Sequence, residues 1–444
     1  MADAPRPRAL AAFIGPCLPL AAFGLPLNVH LPAYFARDLG LPLAAVGVAF
    51  LLVRLVDIGV DPVLGLLMDR TRSGLGRFRP WLIAAVPILI AGAVLLFMAR
   101  RGVDATYLWF SLVIAYFGFS MGSLSQQAWA AALTTDYHQR SRVYGWWQTG
   151  NLVGMLLVLI LPAAVQLGLK GSRADGVHAM GWFIIVLLPL TVGAAVWGCP
   201  EPPAGAGLKP AQRLADYVDL IRNESVARLM LADLLMGWTP GITAALFLFY
   251  FDQIKHTSEL EANLLLLVYF LAAMAAAPLW SWLATRIGKH RALAWNALMI
   301  PACLLVVMAA PMSNPLVATA VMAFAGLPYA GPALLLRAML ADVGDELSLQ
   351  TGVDRTALLY SVLTGTSKIG SALALTSFIV LDAVGFQAEG RHNTPAALMG
   401  LQALFVGLPA LLSLLSALAI LGYRLDETRH AEIRAALGRR ALES

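Results

Sequence analysis

Long apolar stretches separated by short polar segments dominate the chain. They lie at roughly 10–36, 43–68, 81–99, 107–133, 144–166, 180–198, 228–251, 260–285, 292–310, 316–341, 357–381 and 396–423. Each is near or above the ~20 residues that a helix needs to cross a bilayer. They are apolar on every face, unlike the alternating strands of an outer-membrane barrel. The pattern therefore predicts an all-α membrane protein with twelve transmembrane helices.

Composition supports this fold class and narrows the function. Hydrophobic residues make up 59% and charged residues 13% of the 444 residues, whereas soluble domains are ~45–50% apolar and ~25% charged. The three cysteines have no metal-binding or disulfide spacing. The chain contains no Walker A, G-x-S-x-G or H-E-x-x-H motif, so we expect neither an enzyme nor an ATP-driven pump.

Basic residues predict the orientation in the membrane. With the N-terminus placed inside, 22 of the 31 Lys and Arg residues fall on the inner side and 7 on the outer side. The excess of Lys and Arg in cytoplasmic loops is a general rule of membrane topology. We therefore expect a multi-pass protein of the inner (plasma) membrane with both termini in the cytoplasm. The basic residues sit in short loops, so nucleic-acid binding is not expected.

The chain divides into two similar parts. The longest polar stretch, 199–227, predicts a cytoplasmic linker between an N-terminal half (1–198) and a C-terminal half (228–425), followed by a cytoplasmic tail (426–444). The loops MDRTRSGLGRFRPW and ATRIGKHRALAW are both basic and contain Gly, and each follows the second span of its half. Two six-helix pseudo-repeats around a central substrate site describe the major facilitator fold.

Four charged residues are predicted to lie deep in the spans. Arg54, Asp57 and Asp61 share an arc of about 60° on the second helix, and Lys368 lies near the middle of the eleventh span. Charges at this depth cost ~2.5–3.5 kcal/mol each and are usually functional. We interpret the two aspartates as a coupling-cation site. An ion pair of Arg54 with one aspartate is the structural alternative, and for Lys368 it is snorkelling to the interface.

Three segments carry a family resemblance. They are DIGVDPVLGLLMDRTRSGLGRFRPWL (57–82), LTTDYHQRSRVYGWWQ (133–148) and MLADVGDELSLQTGVDRTALLYSVLTGTSKIGSA (339–372). Together they resemble the glycoside–pentoside–hexuronide:cation symporters, the melibiose-permease family. The spacing D-x3-D-P followed by D-x-T-R-S-x-x-G-R-F-R-P-W is fairly specific for this family.

The resemblance implies roles for the intramembrane residues. In the family the aspartates that match Asp57 and Asp61 bind the coupling cation, and Ser120 stands where the family places a hydroxyl ligand. The matching lysine lies at the interface of the halves, so we expect Lys368 to pair with one aspartate when the cation is absent. Sodium-coupled members have Asn where this chain has Val60. An apolar neighbour suits a proton-binding carboxylate, so a proton is favoured, with Na⁺ at Asp57 and Asp61 left open.

The substrate site is predicted to be less charged than in the family's sugar carriers, which use acidic and basic side chains from the first, fourth and fifth spans. Here those spans offer polar and aromatic residues. The candidates are Asn28, His30, Ser123, Gln126, Gln127, Trp147, Gln148 and Asn151. For each Gln or Asn the alternative is a hydrogen bond that ties two helices together.

Charged residues at the predicted cytoplasmic helix ends are candidate gates. They are Asp69, Arg72, Arg77, Arg140, Arg142, Asp342, Asp345 and Arg355. Arg and Asp at helix ends can lock two halves together when the cavity faces outward. The alternative is that their charge only sets the topology.

These observations predict a cation-coupled symporter that moves a small polar solute, such as a sugar or glycoside, by alternating access. We expect no cofactor beyond the coupling H⁺ or Na⁺, the lipid bilayer and a small-molecule substrate as partners, and a monomer. A lysolipid or amphiphile transporter on the same fold and a non-transporting membrane assembly factor are the alternatives.

Overall fold

The structure is a computed structural model that describes residues 7–133, 137–168, 170–199, 201, 220, 222–351, 356–388, 393–423, 425 and 427–443. Within these ranges the regular secondary structure is helical. Twelve of the described segments are long and apolar enough to cross a membrane. We number these spans 1 to 12 in chain order.

The first six spans are mostly continuous helices. Span 1 consists of Pro7–Ile14 and Cys17–Asn28 and continues through a short helix, His30–Ala33, and a π-helical turn, Tyr34–Asp38. Spans 2 to 6 are the helices Leu43–Arg70, Arg79–Phe97, Ala105–Ala132, Tyr137–Gly168 and Arg173–Gly198.

The last six spans include several interrupted helices. Spans 7 to 9 are Glu224–Gln253, Glu259–Ile287 and Lys289–Ala309, and span 10 is Pro315–Gly326 with Ala330–Thr351. Span 11 is Thr356–Leu373 with Thr376–Ala383. Span 12 is Pro395–Gln402, the π-helical turn Ala403–Gly407, and Leu408–Leu421, and it is followed by the polar helix Glu427–Glu443.

Capping residues explain where several spans begin. Before span 4, the Asp104 side chain accepts a hydrogen bond from the Tyr107 N–H at 2.8 Å. Before span 6, Ser172 and Asp175 form a reciprocal capping box. Such caps satisfy N–H groups that the first turn of a helix leaves without partners. We call the side on which span 1 begins and span 12 ends the termini side, and the opposite side the far side.

The chain forms two compact units. Unit 1 comprises Met1–Gly207, Phe247–Leu267 and Phe378–Leu398, and unit 2 comprises Leu208–Leu246, Val268–Ser377 and Met399–Ser444. Unit 1 thus holds spans 1 to 6 together with the far-side ends of spans 7, 8, 11 and 12. The sequence predicts a different division, into two consecutive halves separated by the linker 199–227, and that division stays a prediction.

Each unit has its own apolar packing. In unit 1, span 3 lies close to span 4, since a Cβ on Gly118 would lie 2.9 Å from the Leu89 backbone nitrogen. In unit 2, one buried cluster joins side chains of spans 7 to 12, among them Leu229, Met236 and Leu335. Small residues at such crossings let helix backbones approach closely.

Candidate cation and substrate site

Asp57 is a buried carboxylate in the middle of span 2. The residue is 6% exposed, and the hydroxyl of Ser120 on span 4 donates a hydrogen bond to Asp57 Oδ1 at 2.5 Å. Span 2 is one continuous helix from Leu43 to Arg70, so the half-buried Asp61 follows Asp57 by about one turn. The structure therefore brings together three residues that the sequence assigned to the cation site.

Arg54 lies one turn before Asp57 and is held by residues of two other spans. It donates a hydrogen bond to Asn28 Oδ1 on span 1, and its guanidinium carbon lies 5.2 Å from the centre of the Tyr116 ring on span 4. Asn28 in turn donates to the Gly24 carbonyl at 2.8 Å. Cation–π contact and hydrogen bonding together fix the position of the positive charge beside the carboxylates.

A small cavity borders Asp57. Its volume is about 40 Å³, it is partly open to the outside, and its lining is Val53, Val56, Asp57, Val60, Val113, Tyr116 and Phe117. Ligand pockets for drug-sized molecules span ~300–1,000 Å³. The cavity therefore suits water or a small ion, and its oxygen-bearing residues are Asp57 and Tyr116.

The candidate substrate residues do not form one set in the structure. Among them, Asn28 joins the Arg54 cluster, whereas His30 is buried and its Nε2 lies 3.0 Å from Asn263 Oδ1. The Ser123 hydroxyl donates to the Ser120 carbonyl at 3.3 Å. Gln127 and Gln148 are exposed, and Trp147 is half-buried.

Two of the candidate amides make the kind of bond that holds helices together. Gln126 is buried and donates to the Phe13 carbonyl at 3.2 Å and to Cys17 Sγ at 3.1 Å, which ties span 4 to span 1. Asn151 donates to the Trp147 carbonyl of its own helix at 2.9 Å. These contacts match the structural alternative, and a substrate role for the set stays a prediction.

Over residues 12–427 the sequence matches the family described as MFS/sugar transport protein. The chain belongs to this family. It is 26% identical over 423 residues to the uncharacterized symporter YnaJ of Bacillus subtilis, which covers 91% of this chain and 89% of that protein. It is 23% identical over 415 residues to the glucuronide carrier protein homolog of Escherichia coli, with 91% and 90% covered.

A crystal structure of the nucleoside transporter NupG shares the fold, with a TM-score of 0.65, 15% identity and 94% of this chain covered against 100% of that chain. These matches confirm the major facilitator fold and the resemblance to the glycoside–pentoside–hexuronide symporters. The protein is a multi-pass membrane transporter of the MFS/sugar transport family.

The charged loop between spans 2 and 3 is bound at its end by Glu201, a residue that the sequence analysis did not identify. The carboxylate of Glu201, just beyond span 6, accepts hydrogen bonds from the backbone N–H groups of Arg77, Phe78 and Arg79 at 2.5, 2.8 and 3.1 Å. These groups begin span 3, where the helix dipole favours a negative charge. A partner made of backbone groups leaves no sequence signature.

The candidate gates are only partly described. Arg72 is exposed, and the Arg77 side chain donates to the Met68 carbonyl at 3.2 Å. Asp342 accepts hydrogen bonds from Lys289 at 2.7 and 2.8 Å. Asp345 lies 3.0 Å from His430 of the C-terminal helix. Arg355 and the side chains of Asp69, Arg140 and Arg142 lie outside the described residues. A gating role stays a prediction.

Ion pairs at the far side of unit 1 join spans from both sequence halves. Arg37, in the π-helical turn that continues span 1, lies 3.1 Å from Asp252 at the end of span 7 and donates to the Leu248 carbonyl at 3.2 Å. Arg173, at the start of span 6, lies 2.9 Å from Glu259 at the start of span 8. The structure thus describes unit 1 with these far-side helix ends packed together.

Asp233 is a further buried ionisable residue, in addition to the four that the sequence analysis predicted deep in the spans. It lies in span 7 and is 9% exposed, and the hydroxyl of Thr366 on span 11 contacts its Oδ2 at 2.6 Å. The sequence pattern missed it because it lies only five residues after the predicted start of the seventh span at 228. Charges near a span end are common and carry little signal.

Proposed function

We propose that this transporter is a proton-coupled symporter of a sugar or glycoside. A proton on the Asp57–Asp61 pair favours substrate binding, and the loaded carrier reorients by alternating access. The observation that carries the proposal is the buried Asp57 carboxylate, which accepts the Ser120 hydrogen bond at mid-span beside a fixed Arg54. Intramembrane ionisable residues mark ion and proton pathways.

The surroundings of Asp57 support a proton over sodium. Sodium is a hard cation that requires several oxygen ligands, whereas a proton requires one carboxylate oxygen. The cavity beside Asp57 has four valines and one phenylalanine among its seven lining residues. Val60 is one of these valines, at the position where the family's sodium-coupled members carry an amide.

The relatives support a sugar or glycoside as the solute. One relative is a glucuronide carrier homolog, and the family is named for sugar transport. Among the candidate residues, the exposed Gln127 and Gln148 and the half-buried Trp147 offer amides and an indole, which are groups that bind sugar hydroxyls without a net charge. We therefore favour a neutral sugar or glycoside as the substrate.

A thermal-stability screen tests the substrate class. The purified protein is unfolded by heat with neutral sugars, glycosides, glucuronides and lysolipids, each with and without sodium. A ligand at 100 times its Kd stabilises the folded state by ~2.7 kcal/mol. We expect stabilisation by a neutral sugar or glycoside that does not require sodium. Stabilisation by lysolipids alone would contradict the sugar assignment, and an absolute requirement for sodium would contradict the proton assignment.

A further inference from the structure

The carboxylate of Asp233 sits among apolar side chains in unit 2. Met230 and Met236, three residues before and after Asp233 on the same helix, and Leu363, on span 11, are buried. An ionised carboxylate in such a place loses most of its hydration and is stabilised only by partners that satisfy its oxygens. The hydrogen-bonding partners of Asp233 therefore determine which of its two protonation states is stable.

Thr366 is a hydrogen-bonding partner of Asp233, and its single hydroxyl proton has two oxygen acceptors within reach besides the weak acceptor Met230 Sδ at 3.8 Å. Thr366 Oγ1 lies 2.6 Å from Asp233 Oδ2 and 2.9 Å from the Leu363 carbonyl oxygen. A hydroxyl has one O–H donor and lone pairs that accept. Both contacts are hydrogen bonds at the same time only when Asp233 is protonated and donates to Thr366 while Thr366 donates to Leu363. When Asp233 is ionised, the hydroxyl donates to the carboxylate instead.

The close crossing of spans 7 and 11 holds the two side chains near each other. A Cβ on Gly237 of span 7 would lie 3.2 Å from the Ser367 carbonyl, and a Cβ on Gly370 would lie 2.9 Å from the Trp238 backbone nitrogen. Backbones this close fix the separation of the two spans. A contact of 2.6 Å also leaves no space for a metal ion between the two oxygens.

The charged groups around Asp233 are few within the described residues. Arg337 of span 10 acts on Asp233 electrostatically. Arg228, earlier on span 7, is bound by Glu224 at 2.9 Å and by the Ala419 carbonyl at 3.2 Å. Lys368 follows Thr366 by two residues on span 11, which places it about 200° around that helix. From span 12, the uncharged hydroxyls of Ser416 and Ser413 lie 3.5 Å from the Ala232 carbonyl and from Thr239 Oγ1 of span 7.

We propose that Asp233 and Thr366 form a proton-binding site of unit 2, separate from the carboxylates of span 2. Binding forms the Oδ2–H bond of Asp233, and the Thr366 hydroxyl turns from the carboxylate to the Leu363 carbonyl. Release returns the proton to water and the hydroxyl to the carboxylate. The site does not rest on the identity of the transported solute or on coupling at Asp57.

Infrared difference spectroscopy of the purified protein across a pH titration tests the site. A carboxylic acid has a carbonyl stretching band that a carboxylate lacks, so each titrating group contributes a band that disappears as pH rises. We expect Asp233→Asn to remove one such band, whereas Asp57→Asn leaves that band in place. Thermal unfolding shows whether the variants fold. Asn can donate to Thr366 as the protonated acid does, so we expect Asp233→Asn to fold.

A matched pair at Thr366 provides a second readout. Thr366→Val removes the hydroxyl with little change of shape, and Thr366→Ser retains it. A hydrogen bond to a charged acceptor is roughly twice as strong as a neutral one, so the loss of the hydroxyl costs the ionised state more. We expect the Asp233 band of Thr366→Val to titrate higher by on the order of one pH unit, while Thr366→Ser stays near the wild type. Unchanged titrating bands in Asp233→Asn, or identical midpoints in both Thr366 variants, would overturn the proposal and leave a fixed helix-to-helix hydrogen bond.

Discussion

Each unit holds a buried aspartate in contact with a hydroxyl from a neighbouring span, and the surroundings of the two carboxylates differ. Asp57 has Arg54 one turn before it, Asp61 one turn after it, and a cavity at its side. Asp233 lies at the crossing of spans 7 and 11, and its hydroxyl partner has a second acceptor in the Leu363 carbonyl. The first arrangement suits exchange of an ion with a cavity, and the second suits storage of a proton within a helix contact.

This difference shows that burial alone does not define a coupling site. Both carboxylates are less than one tenth exposed, and both contact one hydroxyl. What distinguishes Asp57 is a guanidinium three residues before it and a second carboxylate four residues after it on the same helix, so that both charges lie within about one turn of it. We therefore expect variants of the two regions to fail in different ways.

The largest effect is expected when Asp57 or Asp61 loses its charge. Asp57→Asn and Asp61→Asn should reduce uphill accumulation of sugar in proteoliposomes to the level of protein-free vesicles, because an amide cannot take up and release the coupling proton. Folding should persist, as measured by thermal unfolding. Asp104→Asn is the matched control, because Asp104 is an exposed helix cap and Asn caps helices as well as Asp. Full accumulation by both span 2 variants would contradict the site assignment.

A smaller effect is expected when the crossing of spans 7 and 11 is widened. A Cβ on Gly370 would overlap the Leu234 carbonyl oxygen and lie 2.9 Å from the Trp238 nitrogen, whereas a Cβ on Gly365 meets no atom within 4 Å. Overpacking costs about 1–3 kcal/mol, while Gly→Ala in an open helix position gains up to ~1 kcal/mol. Thermal unfolding should therefore rank Gly365→Ala above the wild type and Gly370→Ala below it. Equal stability of the two variants would mean that the crossing is not tightly packed.

The fold and the span 2 site could be read from the sequence because their signals are local. Long apolar runs define the spans, and Arg54, Asp57 and Asp61 share a helix face by spacing alone. Ser120 was located through the family resemblance. The pairing of Lys368 with the span 2 aspartates stays a prediction from that resemblance.

The partners of other polar residues depend on which helices come close, and no local pattern encodes that. Gln126 bonds the Phe13 carbonyl, 113 residues away, and Asp233 contacts Thr366, 133 residues away. Carbonyl oxygens are present at every position, so the sequence does not mark which one accepts. These residues could be identified as polar within the membrane, but not as helix ties or as a pair.

The smallest difference between two variants is expected when each carboxylate loses its hydroxyl. Ser120→Ala and Thr366→Val each remove one hydrogen bond to a buried oxygen, which costs about 1–3 kcal/mol when the oxygen stays unsatisfied. Asp57 borders a cavity that can admit water, so we expect Ser120→Ala to cost less than Thr366→Val. Thermal unfolding at neutral pH compares them, and the reverse order would mean that Asp233, not Asp57, has access to water.

Sugar uptake driven by a proton gradient tests the central claim most directly. Proteoliposomes are prepared in sodium-free buffer, and the initial rate of labelled sugar or glycoside uptake is measured with and without an imposed pH gradient, acidic outside. The account predicts concentrative uptake with the gradient, no further stimulation by sodium, and loss of the gradient's effect in Asp57→Asn. Uptake that stays at background under the pH gradient and rises only when a sodium gradient is imposed would contradict it.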